Sequence, residues 1–199
     1  MHRNLIVSLG VLLATVLGPA SARAGKWEAD AAHSRVGFSV RHMMISNVRG
    51  EFGSFTISAD GDPKDAAKAK LEVVIEAGSI DTRNDKRDGH LKSPDFFDAA
   101  KFPSLRFVSK KIMPMGKGRL RVLGSLTIRG VTKDVALEVS GLSAPVKDPS
   151  GMLRLGAQAT ATISRKDFGL TWNKALEAGG VLVGDPVAIT IEAELVQKK

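Results

Sequence analysis

The stretch RLRVLGSLTIRGVTKDVALEVS (residues 119–140) alternates apolar and polar side chains on both sides of Arg129-Gly130. In the first half the even-numbered residues from Leu120 to Ile128 are apolar or small, and in the second half the odd-numbered residues from Val135 to Val139 are apolar. A period of two is typical of strands with one buried and one wet face. Because a glycine between two such runs is typical of a turn, the stretch predicts a β-hairpin.

The same period of two recurs along most of the chain and predicts an all-β fold. The other alternating runs cover residues 36–42, 71–76, 157–163 and 187–195. Turn signals separate the runs at residues 60–63, 115–118, 147–151 and 184–186. We therefore expect about eight or nine strands in one antiparallel barrel or sandwich. A bulge at Gly53 would bring the rings of Phe52 and Phe55, which have opposite parity, to one side of the sheet.

One polar segment breaks the alternation and predicts a short helical insertion. Ile80, Asn84, Arg87 and Leu91 fall on one helical face, and Asp81 is the expected N-cap. A second short turn is predicted over Ser93–Ala99, where Pro94 suits a first helical position.

Residues 1–24 read as a cleaved signal peptide, and residues 25–199 as one folded domain. Arg3 precedes the mostly apolar run Leu5–Leu17, and Ala22-Arg23-Ala24 forms a small-x-small cleavage site. The apolar run is shorter than the roughly 20 residues of a membrane span. Cleavage would remove two basic residues and no acidic one, which lowers the net charge from +8 to +6. The expected location is the periplasm.

Composition excludes several function classes. The chain has no cysteine and four histidines, so disulfides and thiolate sites are absent and we expect no metal centre. Its basic residues are scattered and its aromatic residues are few, which argues against nucleic-acid binding. No nucleophile elbow or phosphate-binding glycine loop occurs, so we expect no enzyme and no catalytic residue. Weak metal binding by the acidic residues near His90 stays open.

Aromatic, methionine and basic side chains suggest a lipid pocket. Adaptable apolar residues are typical of ligand cavities as well as of ordinary cores, and small inward residues such as Gly124, Ala157, Ala159 and Ala161 would leave space. The residues Trp27 and Trp172 would plug a barrel end or touch the ligand. The candidate ligand-binding residues are Phe38, Val40, His42, Met43, Phe52, Phe55, Arg87, His90, Phe96, Phe97, Phe107 and Trp172. The cations among them suit an anionic head group.

Three blocks of sequence resemble the YceI-like family of exported bacterial proteins. The first runs from Trp27 to Gly53 and includes His33-Ser-Arg-Val-Gly-Phe38. The second, which is the most specific, runs from Ile80 to Pro103 and includes Ser93-Pro-Asp95-Phe96-Phe97. The third comprises Gly124-Ser-Leu-Thr127, Gly130-Val-Thr-Lys133 and Asp167-Phe168-Gly169. Together they span nearly all of residues 26–197.

The resemblance implies a lipocalin-like antiparallel eight-stranded, or slightly larger, barrel with a short helical insertion. It implies an apolar tunnel for an isoprenoid, an isoprenoid quinone or a fatty amide or acid, and no cofactor. A homodimer and a cytochrome b561-type membrane partner are also implied. The resulting hypothesis is a carrier for a long-chain amphiphilic lipid. Two alternatives are a lipid-precursor hydrolase or isomerase that uses His90 with Asp88 or Asp81, and a stress-related module for a membrane electron-transfer protein.

Overall fold

Twelve antiparallel strand segments make up the sheet. The computed structural model describes residues 25–177 and 179–198, so the expected signal segment lies outside the described residues. The strands are β1 (Gly25–Ala29), β2 (Arg35–His42), β3 (Ser46–Phe52), β4 (Phe55–Gly61), β5 (Lys70–Glu76), β6 (Ile80–Asp81), β7 (Ser104–Gly116), β8 (Arg119–Ile128), β9 (Val131–Ser140), β10 (Val146–Lys147), β11 (Leu153–Ser164) and β12 (Val183–Gln197). One α-helix within these residues, α1 (Asp85–Lys92), follows β6.

Eight of the strands close into a barrel. The order is β1-β4-β5-β7-β8-β9-β11-β12, and β12 returns to β1. The pairing between β11 and β12 is long and runs continuously from Arg154↔Val196 to Ser164↔Pro186. Closure leaves no free edge in this ring, and a free edge is a liability in sheets. The expected antiparallel eight-stranded barrel is confirmed, and the sandwich alternative is wrong.

The wall of the barrel continues toward α1 beyond the closed ring of eight strands. At the α1 end β2 replaces β1 beside β12, and β3 and β6 follow β2. The kink between β3 and β4 falls at Gly53, whose N–H donates to the carbonyl of Ser79 at 3.0 Å. Phe52 is buried and Phe55 packs against the same core. Both rings therefore lie on the inner side as predicted, but Gly53 and Ser54 form a bend between two strands rather than a bulge within one.

The inward faces follow the parity that the sequence predicts. Val122 is 1% exposed, and Leu126 and Ile128 are also buried. The glycine in this run does not leave empty space, however. A Cβ at Gly124 would overlap the ring of Phe107, so the aromatic ring fills that position. The expectation that Gly124 contributes volume to a cavity is wrong.

The helical insertion starts later than the sequence predicts. Ile80 and Asp81 belong to β6, which pairs with Phe52 and Glu51 of β3. The N-cap of α1 is Asn84, whose side-chain oxygen accepts from the N–H of Arg87 at 2.9 Å. The pairing of β6 prevents Asp81 from capping the helix, and its carboxylate accepts from the N–H of Arg83 instead. Within the described residues, no helix has both the length and the apolar character of a membrane span.

Candidate functional site

The barrel encloses three adjoining cavities. The inner chamber has a volume of about 130 Å³, and it ends at the 3₁₀ turn Pro63–Lys68. The middle chamber has a volume of about 140 Å³. The third cavity, which we call the mouth, has about 180 Å³ and lies beside α1 and the β2–β3 turn.

The three cavities adjoin in series, because neighbouring cavities share lining residues, and we call this series the tunnel. Val73, Leu137 and Ile191 line both the inner and the middle chamber. Phe38 and Phe96 line both the middle chamber and the mouth. The order along the barrel is therefore the mouth, the middle chamber and the inner chamber.

Small side chains create the inner chamber. Ala157 and Ala159 of β11 and Ala193 of β12 line it, and the register places Ala157 directly opposite Ala193. Two alanines that face each other leave space that larger side chains would fill. Trp27 is 2% exposed and also lines this chamber, so it belongs to the inner chamber and not to the mouth.

Phenylalanine rings form the wall of the middle chamber. The ring centroids of Phe38 and Phe52 are 5.8 Å apart, and those of Phe52 and Phe97 are 6.0 Å apart. Gly50, which pairs with Phe38 across β2 and β3, makes this arrangement possible. A Cβ at Gly50 would lie 2.5 Å from the ring of Phe38. The glycine thus sets the position of an aromatic side chain that borders two cavities.

The mouth collects cationic and imidazole side chains without an acidic one. Arg41, His42, Arg87 and His90 line it, and no aspartate or glutamate does. Arg87 donates from Nε to the hydroxyl of Thr82 at 2.7 Å and from Nη2 to its carbonyl at 2.8 Å. Its Nη1 donates no bond to a described residue. A guanidinium that is held in place with donors to spare suits an anionic or strongly polar head group.

His90 is fixed by aromatic packing and by an acid outside the mouth. Its ring meets Phe96 and Trp172 edge-on, with centroid distances of 5.0 and 4.7 Å, and its Nε2 lies 2.9 Å from a carboxylate oxygen of Asp95. The sequence suggested Asp88 or Asp81 as its partner, and this pairing is wrong. Asp88 is buried and accepts from the N–H and the hydroxyl of Thr82.

Most of the predicted ligand-binding residues lie around the tunnel. Those that line the middle chamber or the mouth are Phe38, Val40, His42, Phe52, Arg87, His90, Phe96, Phe97, Phe107 and Trp172. Met43 and Phe55 line none of the three cavities. Met43 lies in the β2–β3 turn and is 40% exposed, whereas Phe55 packs against the core.

Arg165 is a buried residue that the sequence analysis did not single out. It is 4% exposed and borders the middle chamber. Its guanidinium donates to the carbonyls of Gly184 at 2.9 Å and Trp172 at 2.9 Å, and also to those of Leu170 and Val183. Burial lowers its pKa, although the charge of Asp185 acts in the opposite sense. The side chain fastens the loop that carries Trp172 to the start of β12.

Within the described part of the chain, one group could offer three ligands to a metal ion: Asp30, His33 and Glu194. Arg154 already neutralises it, since its Nη1 donates to Asp30 at 2.8 Å and also to Glu194. The bond from Arg154 is the main reason why the pKa of Asp30 is lowered. A cation in contact with these carboxylates disfavours a metal there. The group also lies apart from the tunnel, because none of its three residues lines a cavity.

Comparison with known proteins agrees with this architecture. The model of the YceI-like domain matches residues 27–195. A UPF0312 protein of Staphylococcus aureus strain MSSA476 is 36% identical over 165 residues, which cover 83% of this chain and 94% of the relative. The crystal structure of a YCEI protein of Campylobacter jejuni matches with a TM-score of 0.69 and 35% identity, over 85% of this chain and 96% of that one.

Two further solved structures extend the likeness. The BcnA protein of Burkholderia cenocepacia has a TM-score of 0.73 and 25% identity, over 85% of this chain and 99% of its own. A polyisoprenoid-binding domain of Saccharophagus degradans has a TM-score of 0.62 over 86% and 98% of the two chains. Its identity of 17% makes this last match a likeness of fold. From the domain match and the Staphylococcus and Campylobacter relatives, we conclude that the chain belongs to the YceI-like family.

Proposed function

We propose that this protein is an exported carrier that holds a long-chain polyisoprenoid lipid in its barrel, with the tail in the two chambers and the polar group at the mouth. The observation that carries the proposal is the tunnel itself, which is apolar along two chambers and cationic at one end. Apolar burial contributes about 0.8 kcal/mol per CH₂ group. A five-carbon unit therefore contributes a few kcal/mol before the cost of ordering the chain.

The length of the tunnel favours a chain longer than an ordinary fatty acid. Val183 of β12 lines the mouth and Leu195 lines the inner chamber, twelve residues further along the same strand. At about 3.3 Å per residue this is roughly 40 Å along the strand, or roughly 30 Å along the axis for a tilt of about 40°. The hydrocarbon core of a whole bilayer is also about 30 Å thick. An acyl chain that fills one leaflet would therefore occupy about half of the tunnel.

The mouth supports an amphiphile rather than a pure hydrocarbon. A hydrocarbon has no acceptor for the donors of Arg41, His42 and Arg87, whereas a phosphate, carboxylate or quinone carbonyl accepts their hydrogen bonds. The relative from Saccharophagus degradans is described as a polyisoprenoid-binding domain, which is consistent with this ligand class. The signal-like segment at residues 1–24 supports export to the periplasm.

The decisive experiment is extraction of the protein purified from its native host, followed by mass spectrometry. We expect one chain per barrel, built of isoprene units and longer than common fatty acids. A barrel that is repeatedly recovered without lipid would contradict the proposal, and a fatty acid in its place would contradict the ligand class. Amino-terminal sequencing of the protein recovered from the periplasmic fraction tests export separately, with Gly25 as the expected first residue.

A further inference from the structure

The tip of the β2–β3 hairpin is apolar and exposed. Met43, Met44 and Ile45 are 40%, 53% and 74% exposed, in that order. The other large hydrophobic residues of comparable exposure in residues 25–177 and 179–198 are isolated in sequence. We call these three residues the apolar tip. Three adjacent apolar side chains at the end of a hairpin cost free energy in water, and exposed apolar patches mark sites of interaction.

The backbone of the apolar tip is well defined but unfavourable for these residues. The φ angles of Met43 and Met44 are +50° and +64°, a region in which asparagine and glycine are the usual hairpin residues. The N–H of Met43 donates to the carbonyl of Leu182 at 2.8 Å, and the N–H of Ile45 donates to that of His42 at 3.1 Å. Methionine therefore stands where a small residue would give an easier turn, and the turn holds its side chains outward.

The charged residues of the hairpin on either side of the apolar tip have one sign. Residues 41–49 contain Arg41, His42 and Arg49 and no acidic residue, and both arginines are exposed. A short apolar tip in front of a set of basic side chains matches the layers of an anionic membrane surface. The acyl region accepts the apolar groups, and the phosphates accept the cations.

The apolar tip is also continuous with the tunnel. Arg41 and His42, which lead into the tip, line the mouth, and so does Leu182, which bonds to Met43. We propose that the apolar tip inserts into the interface of an anionic bilayer and brings the mouth of the tunnel against the lipid from which the ligand is loaded. This inference rests on the proposed function, because a lipid carrier must exchange its cargo with a membrane.

The size of the apolar tip favours a bilayer over a protein partner. A specific protein interface buries about 800 Å² on each partner, and three partly exposed side chains supply only a small part of that area. Interfacial insertion requires only a few large apolar groups with cations beside them. The bilayer is thus the partner that the observed surface fits.

The test is co-sedimentation of the chain from residue 25 onward, which contains the complete closed barrel, with phosphatidylcholine vesicles that contain or lack phosphatidylglycerol. The variant Met44→Ser/Ile45→Ser removes apolar surface that lines no cavity. Its matched control is Met115→Ser/Val146→Ser, because Met115 is 54% and Val146 is 62% exposed and β7 carries Met115 toward the inner end of the barrel. We expect the tip variant to lower the partition onto anionic vesicles at least tenfold and the control to bind like the original protein.

Equal binding of the tip variant, the control and the original protein would overturn the inference, and so would binding that ignores phosphatidylglycerol. A change of oligomeric state in the tip variant without a change in vesicle binding would assign the tip to a protein contact and would also overturn it. Extraction of lipid from the protein purified from its native host separates the two proposals. If lipid is present but vesicle binding is unaffected, only the docking inference fails; if no lipid is recovered, the proposed function fails.

Discussion

Replacing Ala159 by leucine should shorten the apolar tunnel from the inside. Ala159 lies on β11, pairs with Ile191 of β12 and Val139 of β9, and lines the inner chamber. Leucine adds three carbon atoms at a point where the wall is otherwise made of an alanine. Because the inner chamber has about 130 Å³ of free space, the barrel can accept the larger side chain without a rearranged wall.

The added side chain occupies space that the end of the tail would otherwise fill. Each displaced CH₂ group forfeits about 0.8 kcal/mol, so a loss of three carbons amounts to about 2.4 kcal/mol. At about 1.4 kcal/mol for each factor of ten, the affinity for a long chain should fall roughly 50-fold. A chain too short to reach the inner chamber should lose nothing.

A titration with two fluorescent probes, a long dansylated polyprenol and dansylated geraniol, measures both effects in one variant. The matched control is Ala188→Leu, since Ala188 is an exposed residue of β12 and receives the same added atoms on the outer wall. We expect Ala159→Leu to weaken the binding of the long probe alone and to leave the Tm of the ligand-free protein unchanged. Equal weakening of both probes, or no weakening of either, would refute the assignment of the tail to the inner chamber.

Three further predictions concern polar and close-packed contacts of the barrel. Arg165→Met leaves buried carbonyls without their donor and should cost about 3–5 kcal/mol, seen as a fall in Tm on the order of 10 °C; an unchanged Tm would show that water replaces the guanidinium. Gly50→Ala should lower the free energy of unfolding by roughly 1–3 kcal/mol because the added Cβ meets the ring of Phe38. Adding Phe38→Leu to this variant should recover part of the loss in urea unfolding. Strictly additive losses from the two substitutions would contradict the contact. The hydrogen bond from Arg154 lowers the pKa of Asp148 to about 2. The stability that this carboxylate contributes is therefore present above about pH 4 and is lost as the pH falls toward 2. Asp148→Asn should flatten the pH dependence of the urea midpoint between these two pH values and leave the rest of the curve parallel to that of the original protein.

Alternation of side chains was sufficient to predict the barrel wall because burial of one face is a local property of each strand. The run from Leu120 to Ile128 lies in β8, and Arg129-Gly130 form the turn into β9, as the pattern indicates. The irregularity at Gly53 could also be predicted, since two aromatic residues of opposite parity cannot share one side of a regular strand, although it is a bend between two strands and not a bulge. These features depend on residues that are close in sequence.

Features that depend on distant backbone could not be predicted in the same way. Asp81 and Asn84 are both good N-caps, and the choice falls on Asn84 because β3 engages Ile80 and Asp81 in a strand. Arg165 resembles its exposed neighbour Lys166 in sequence, but the carbonyls of Gly184 and Leu170 surround only Arg165. The partner of His90 was missed for a similar reason, because a turn after α1 brings Asp95 beside it.

The origin of the tunnel illustrates the same limit more sharply, because small inward residues do not by themselves make a cavity. Gly124 and Ala157 both have the inward parity that would leave space, yet only Ala157 borders a chamber. The difference lies in what faces each of them. The ring of Phe107 covers Gly124, whereas Ala157 faces Ala193 across β11 and β12, so two small side chains meet and the gap persists. A volume for a ligand is therefore a property of strand register, and a one-residue shift between β11 and β12 would remove it while preserving every residue of the sequence.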